Sequence, residues 1–238
     1  MRVLVLGASG ATGQLVVMQL IKRQINIRIV IRESAILSAE TLDSPLVEIK
    51  RGNIAEFSGS EMANLLQDCD AIVSCLGHNI TIRGMFGNPR YLVSDTIRNV
   101  CETARKRADK KVKLILMSTT AYANAATGEK NSLGEGIVFS ILKLLLPPHH
   151  DNVKAVSYLQ KEIGKEDEKI EWVAVRPDTL INKDAESACE VHESPVRSPV
   201  FNAGTVSRIN VSHFMVELLT NDGLWREWQF KMPVVYNK

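Results

Sequence analysis

Short apolar runs rich in β-branched residues recur along the chain at residues 3–6, 27–31, 47–49, 71–75, 114–117 and 172–175. Stretches with a helical period follow most of them, at about 12–23, 61–67, 91–108, 152–163 and 211–219. The runs are continuous in Val, Ile and Leu instead of alternating with polar residues, as expected of strands covered on both faces. Strand followed by helix, repeated, predicts an α/β protein: a doubly wound parallel sheet with crossover helices on both sides. Residues 183–203 (KDAESACEVHESPVRSPVFNA) break the pattern, being polar, with two prolines and no helical period. They read as an excursion beyond the last core strand, forming a small C-terminal region of the same unit.

Composition narrows the class. With 45% apolar and 24% charged residues, the 238-residue chain has the make-up of an ordinary globular domain. A formal charge of +2 provides no broad cationic field, so nucleic acid and anionic membrane are not expected partners, and any bound anion must be held locally. Cys69, Cys75, Cys101 and Cys189 are scattered without a CxxC pair, which fits a reduced, cytoplasmic setting. The apolar run at the N-terminus is too short for a signal peptide and ends in glycines. No stretch reaches the roughly 18 apolar residues of a membrane span; the nearest, residues 136–146 (GIVFSILKLLL), is interrupted by Ser140 and Lys143 and reads as a core or lid helix.

The most informative motif is Gly7-Ala8-Ser9-Gly10-Ala11-Thr12-Gly13, between the first strand and the first helix. A helix N-terminus offers unpaired N–H donors and the positive end of the macrodipole to a pyrophosphate, provided no side chain keeps it away. Gly7 permits the tight turn, Gly10 the close approach of a nucleotide, and Gly13 the packing of helix on strand. A tight turn without a ligand is the alternative reading. The GxxGxxG spacing is one residue wider than GxGxxG, and no Gly-Lys-Ser/Thr follows, which excludes the phosphate loop of NTPases.

About twenty residues on, the second strand ends Ile31-Arg32-Glu33-Ser34. An enzyme selecting NAD places a carboxylate there for the ribose 2′-hydroxyl, whereas an arginine suits a 2′-phosphate, which it grips through parallel N–H bonds. Arg32 therefore points to NADP, with NAD possible if Glu33 faces the pocket; a solvated strand end is the bland alternative. On this reading the cofactor half spans about residues 1–122 and the substrate side about 123–238, within a single Rossmann domain.

With GASGATG, Arg32, Ser74-Cys75-Leu76-Gly77, Ser118-Thr119-Thr120, Arg176-Pro177 and the tail from Ser207 to Met215 (SRINVSHFM), the sequence resembles the atypical short-chain dehydrogenase/reductases. Within them it resembles the branch that holds biliverdin-IXβ (flavin) reductase and the NmrA-like NAD(P)-binding proteins. The resemblance implies that Gly7, Gly10, Thr12 and Gly13, with Ser9 and Ala11 in the same loop, line the pyrophosphate and that Arg32 meets the 2′-phosphate. It also implies that Leu76 and Gly77 pass under the nicotinamide ribose, that Ser118 and Thr119 sit beside the nicotinamide as catalytic candidates, and that Pro177 backs its carboxamide. Asn53 stands where the family usually has an Asp facing adenine, exchanging an acceptor-only group for an amide.

The chain departs from the family in its proton donor. Many short-chain dehydrogenases use YxxxK, in which the Lys lowers the Tyr pKa; here the residues four beyond Tyr91, Tyr122 and Tyr158 are Asp95, Ala126 and Glu162. A lysine near the start of the helix before strand six would match Asn152, with Lys154 two residues on. Hydride transfer to a planar acceptor escapes the difficulty, because the proton can come from water and orientation matters most. Thr119, Thr120, Tyr122, His149, His150 and residues 136–146 are the materials for such a cleft. His78 stands at the ligand end of strand four as either a site or a loop residue, and His149 and His150 read as a surface loop after Pro147-Pro148, a proton relay being the competing role. His192 and His213 have no partner at ligand spacing, and neither HExxH nor GxSxG is present, so no metal centre and no serine hydrolase is expected. The expected function is an NADP-dependent reductase of a planar acceptor such as a flavin, quinone or bilin. The alternatives are an NmrA-like redox sensor without turnover, and a nucleotide-sugar isomerase or dehydratase, against which the short C-terminal half argues. Oligomeric state stays open.

Overall fold

A computed structural model describes residues 1–77, 89–107, 111–120, 122–124, 127–130, 132, 134–136, 138–139, 141 and 147–238. His78 and most of the 136–146 segment lie outside the described residues, as does the side chain of His149. In chain order the elements are β1 (Arg2–Leu6), α1 (Ala11–Lys22), β2 (Asn26–Ile31), α2 (Ala39–Leu42), β3 (Val47–Arg51), α3 (Gly59–Leu66), β4 (Ala71–Ser74), α4 (Leu92–Arg105) and β5 (Val112–Met117). They continue with α5 (Pro147–Tyr158), β6 (Ile170–Pro177), β7 (Thr179–Ile181), β8 (Cys189–His192), β9 (Thr205–Ser207), α6 (Arg208–Thr220), α7 (Asp222–Trp228) and β10 (Val234–Asn237).

The main sheet runs β3-β2-β1-β4-β5-β6-β10-β8, parallel from β3 to β10, with β8 antiparallel at the edge. The order reverses between β1 and β4, and this switch point is where open α/β sheets bind ligands, outside the carboxyl ends of the strands. Period-two alternation divides the strands between two cores: Val3 and Val5 face α1, α6 and α7, whereas Leu4 and Leu6 face α3, α4 and α5. All four side chains are fully buried. Among the described residues, no helix is long and apolar enough to cross a membrane.

Three sequence expectations are corrected. The strand at 172–175 is not the last of the core: β10 joins β6 in parallel register, and the polar 183–203 region supplies β8 to pair with β10. Arg176 and Pro177 are the last two residues of β6 instead of following it. His149 and His150 belong to the first turn of α5, not to a loop, because the fixed φ of proline suits the opening turn of a helix. Beyond α5, residues Leu159–Ile163 wind as a π turn.

Two buried polar ties hold the helices beside the strand ends. Asp151, on α5 and fully buried, accepts the backbone N–H groups of Val93 and Ser94 at 2.7 and 2.9 Å and the Ser94 hydroxyl at 2.6 Å. A side chain of one helix thus caps the N-terminus of its neighbour α4, which has no cap of its own. Replacing Asp151 by Ala is expected to cost about 2 kcal/mol, the upper end for loss of an N-cap. Denaturant unfolding measures this, and hydrogen exchange should speed at Val93 and Ser94 specifically. The second tie, between Arg176 and Glu129, belongs to the site.

Candidate functional site

Helix α1 differs from its neighbours at its first turn. α2, α3, α6 and α7 are capped by the side chains of Ser38, Ser58, Ser207 and Asn221, whereas the residue preceding α1 is Gly10, with no side-chain cap and no acidic residue in the first turn. Its leading N–H groups are left to face a ligand. The loop is shaped for close approach. Gly7 has φ +75°, and a Cβ there would lie 2.6 Å from the Cys75 carbonyl oxygen. A Cβ on Gly13 would lie 2.1 Å from the Gly7 carbonyl oxygen, so the start of α1 presses directly on the end of β1. Gln14 closes the loop by donating to the Ser9 carbonyl at 2.9 Å.

Around this turn the structure brings together Gly7, Ser9, Gly10, Arg32, Asn53, Leu76 and Gly77 in one cleft of about 280 Å³ over the ends of β1 to β4. Thr12 and Gly13 are buried behind the loop, and Ala11 is exposed at the helix start. Asn53 is committed locally: its carbonyl oxygen accepts the Ala55 N–H at 3.3 Å and its amide donates to Glu56 at 2.7 Å. The acceptor that a carboxylate would turn toward an adenine amino group is therefore occupied in a cap.

Sequence reasoning missed two contributors. Cys75 lines the cleft from beneath, and burial pushes its thiol up to about 12, so it stays protonated and acts as a wall, not a nucleophile. Arg51 ends β3 in register with Ile31, beside Arg32, and donates to the Glu33 carbonyl at 3.3 Å. Arg51 thus stands at the strand end next to Gly52 and Asn53, which line the cleft. The basic end of strand three, paired with strand two, was the available signal.

Ser118 and Thr119 follow β5, and Pro177 ends β6 beside it; the Ser118 N–H donates to Val175 at 2.7 Å. The Ser118 hydroxyl is shielded from solvent and makes no hydrogen bond among the described residues, and neither does that of Ser74 at the end of β4. None of Ser118, Thr119 and Pro177 lines the cleft over the glycine loop. Thr120 lines a second cleft of about 500 Å³ on the far side of β5, bordered by residues 127–130 and 194–199. Of the other acceptor-side candidates, Tyr122 donates its hydroxyl to Gln160 at 2.7 Å, His150 meets the Tyr91 ring edge to face, and the Lys154 ammonium lies 3.7 Å from the centre of that ring.

Arg176 holds this second cleft in shape. It is fully buried and its five N–H bonds are all used: the Met232, Tyr122 and Glu193 carbonyls accept at 2.8 to 2.9 Å, and both oxygens of Glu129 accept at 2.8 Å. The loop after β5, the segment after β8 and the approach to β10 are thereby pinned to the end of β6. Burial opposes ionisation of Glu129, but the Arg176 bonds and the Asn124 N–H outweigh it and hold the carboxyl below the usual glutamate range.

A doubly wound sheet with an uncapped glycine turn at its switch point defines a dinucleotide-binding protein of the Rossmann type. More particularly, the chain belongs to the NAD(P)H-binding family, which it matches over residues 7–222. No curated protein matches it. Among solved structures it is similar to a short-chain dehydrogenase/reductase from Veillonella parvula in complex with NADP, with TM-score 0.70 and 14% identity over 99% of this chain and 94% of that one. It is also similar to an anaerobilin reductase from Escherichia coli O157:H7, with TM-score 0.67 and 17% identity over 100% and 97% of the two chains. A protein from Streptococcus pneumoniae provisionally assigned as an NADH-flavin reductase gives TM-score 0.70 and 16% identity over the whole of both chains. At these identities the likeness is one of fold.

Proposed function

We propose that this protein is an NADP-dependent reductase that passes hydride from NADPH to a planar acceptor of the flavin, quinone or bilin class. One observation carries the reading: the glycine turn, Arg32 and Leu76-Gly77 meet in a single cleft at the switch point, with Arg51 at the adjoining strand end. The Veillonella parvula complex with NADP and the flavin and bilin names of the other two relatives agree with it. When bound, the reduced nicotinamide supplies the hydride. In this proposal the N–H groups of α1 and the loop glycines hold the pyrophosphate, and Arg32 and Arg51 face the 2′-phosphate. Ser118 and Thr119 stand at the strand end beside the nicotinamide, Pro177 backs it, and Thr120 opens the acceptor cleft. Without a Tyr-Lys pair at the proton-donor position, the chain's own contribution is orientation and exclusion of water.

NADPH oxidation, followed at the reduced-nicotinamide absorbance band against a panel of flavins, quinones and bilins, tests the proposal. Turnover with a member of the panel is expected; tight nucleotide binding with no turnover across it would overturn the reductase in favour of a sensor. The cofactor preference has its own check. Arg32→Ala is expected to weaken NADPH about 10- to 100-fold, one charge-assisted bond to the 2′-phosphate being worth about 1.5–3 kcal/mol, while NADH affinity changes by less than about threefold. Equal loss for both nucleotides in titration calorimetry would remove Arg32 from the 2′-phosphate.

A further inference from the structure

The charges of the acceptor-side cleft are not balanced in their availability. It is lined by two carboxylates, Glu129 and Glu135, and two cations, Lys130 and Arg197. Both carboxylates are occupied. Glu129 forms the bidentate pair with buried Arg176. Glu135 accepts the Ser198 hydroxyl at 2.6 Å and the Ser132 N–H and hydroxyl at 2.7 and 2.9 Å. Asp178, the acidic group that interacts electrostatically with Arg197, accepts the Gly204 N–H at 2.9 Å and forms no ion pair with it. Neither Lys130 nor Arg197 has an ion-pair partner among the described residues, and both are exposed at the cleft. Structural bonds hold the negative groups against the wall, and the positive groups are left to meet a ligand.

We infer that this cleft selects planar acceptors carrying an anionic side group, a carboxylate or a phosphate, which Lys130 and Arg197 bind while the ring lies toward Thr120. The inference rests on the reductase reading for the ring and adds the charge class of the acceptor. A volume of about 500 Å³ is within the range of small-molecule sites. The two cations stand on different segments, 127–130 and 194–199, which Arg176 anchors through Glu129 in the first and through the carbonyl of Glu193, the residue before the second. Neutral planar acceptors such as simple quinones gain nothing from this arrangement.

The test uses pairs of compounds that share a ring and differ in charge: FMN against riboflavin, and biliverdin against its dimethyl ester. Binding to the NADP⁺-loaded protein is measured by fluorescence or absorbance change, separately from turnover. The charged member of at least one pair is expected to bind about tenfold or more tightly, and the preference should shrink as salt rises, since exposed charges are screened over about 10 Å at 0.1 M and about 3 Å at 1 M. In the double variant K130Q/R197Q the ratio of charged to neutral affinity should fall toward one, and in K130R/R197K it should be kept. Equal affinity of charged and neutral members, or a preference that survives K130Q/R197Q, overturns the inference. Binding of neither pair overturns it as well. Selective binding of an anionic member without NADPH oxidation sustains the charge selection and overturns the reductase reading, so the two failures are separable.

Discussion

Replacing Glu129 by Ala is expected to lower stability by about 3–5 kcal/mol, because it leaves the buried Arg176 guanidinium without its counter-charge. For a domain of this size that corresponds to a melting temperature lower by about 6–20 °C. Arg176 is wholly buried and donates to carbonyls of three separate segments, so removing Glu129 leaves its charge with neutral acceptors only. The double replacement Arg176→Met with Glu129→Met should cost less than either alone, since both charges leave together, and a double-mutant cycle by denaturant unfolding gives the coupling. A single Glu129→Ala loss below about 1 kcal/mol would show that the pair is not the clamp described. The pH dependence follows in sign. The folded-state pKa of Glu129 lies below its ordinary value, so its stabilisation is fully present above the unfolded-state pKa and is lost as pH falls through the lower folded value. In the double methionine protein the acid limb of the stability curve should be flatter.

The second large effect falls on the nucleotide turn. Gly13→Ala would place a Cβ 2.1 Å from one backbone oxygen and 2.8 Å from the carbonyl carbon bearing it, and neither can swing aside. Gly7→Ala adds a left-handed backbone angle to a 2.6 Å clash with the Cys75 oxygen, a conformation that alone costs an L-residue about 1–2 kcal/mol. Both variants should lose NADPH affinity by more than about a hundredfold, a loss of roughly 3 kcal/mol, and both should melt lower than the parent. Gly77→Ala is the informative contrast, because a Cβ there meets nothing within 4 Å. It should fold with unchanged melting temperature, so any loss of nucleotide affinity reports on the approach of the ligand to this part of the cleft. If Gly77→Ala melted as low as Gly13→Ala, the steric account of the turn would be wrong.

Much of the site was legible because its chemistry is contiguous. Strand, glycine turn and helix occupy residues 2–22 without a break, and the turn depends on a left-handed backbone angle at Gly7 and on close approaches at Gly7 and Gly13 that leave no room for a Cβ. Arg32 follows a strand whose apolar run marks its end, so its place came from the spacing after the glycine turn, whereas Leu76 and Gly77 came from the resemblance to the short-chain dehydrogenase/reductases. Asn53 shows the limit of that logic: its position is as expected, but its side chain is taken up by Ala55 and Glu56, two and three residues away. Arg51 escaped notice because its relevance comes from register with β2 and from the Glu33 carbonyl, a contact across 18 residues.

Hydrophobic periodicity and local backbone preference, which act within a strand or a turn of helix, determined the six parallel strands, their crossover helices and the nucleotide turn. Tertiary structure alone decided the remainder. β10 becomes a core strand only because β6 and β8 offer edges on either side of it, and nothing in the four residues Val234–Asn237 announces those neighbours. Asp151 becomes the cap of α4 across 57 residues, and Arg176 finds Glu129 across 47. Such pairings depend on which strand ends the winding of the sheet brings side by side, and the desolvation that gives them their strength exists only once the cores on both faces have closed. For the same reason the second cleft, with its carboxylates tied down and its two cations without ion-pair partners among the described residues, has no signature in any single stretch of the chain.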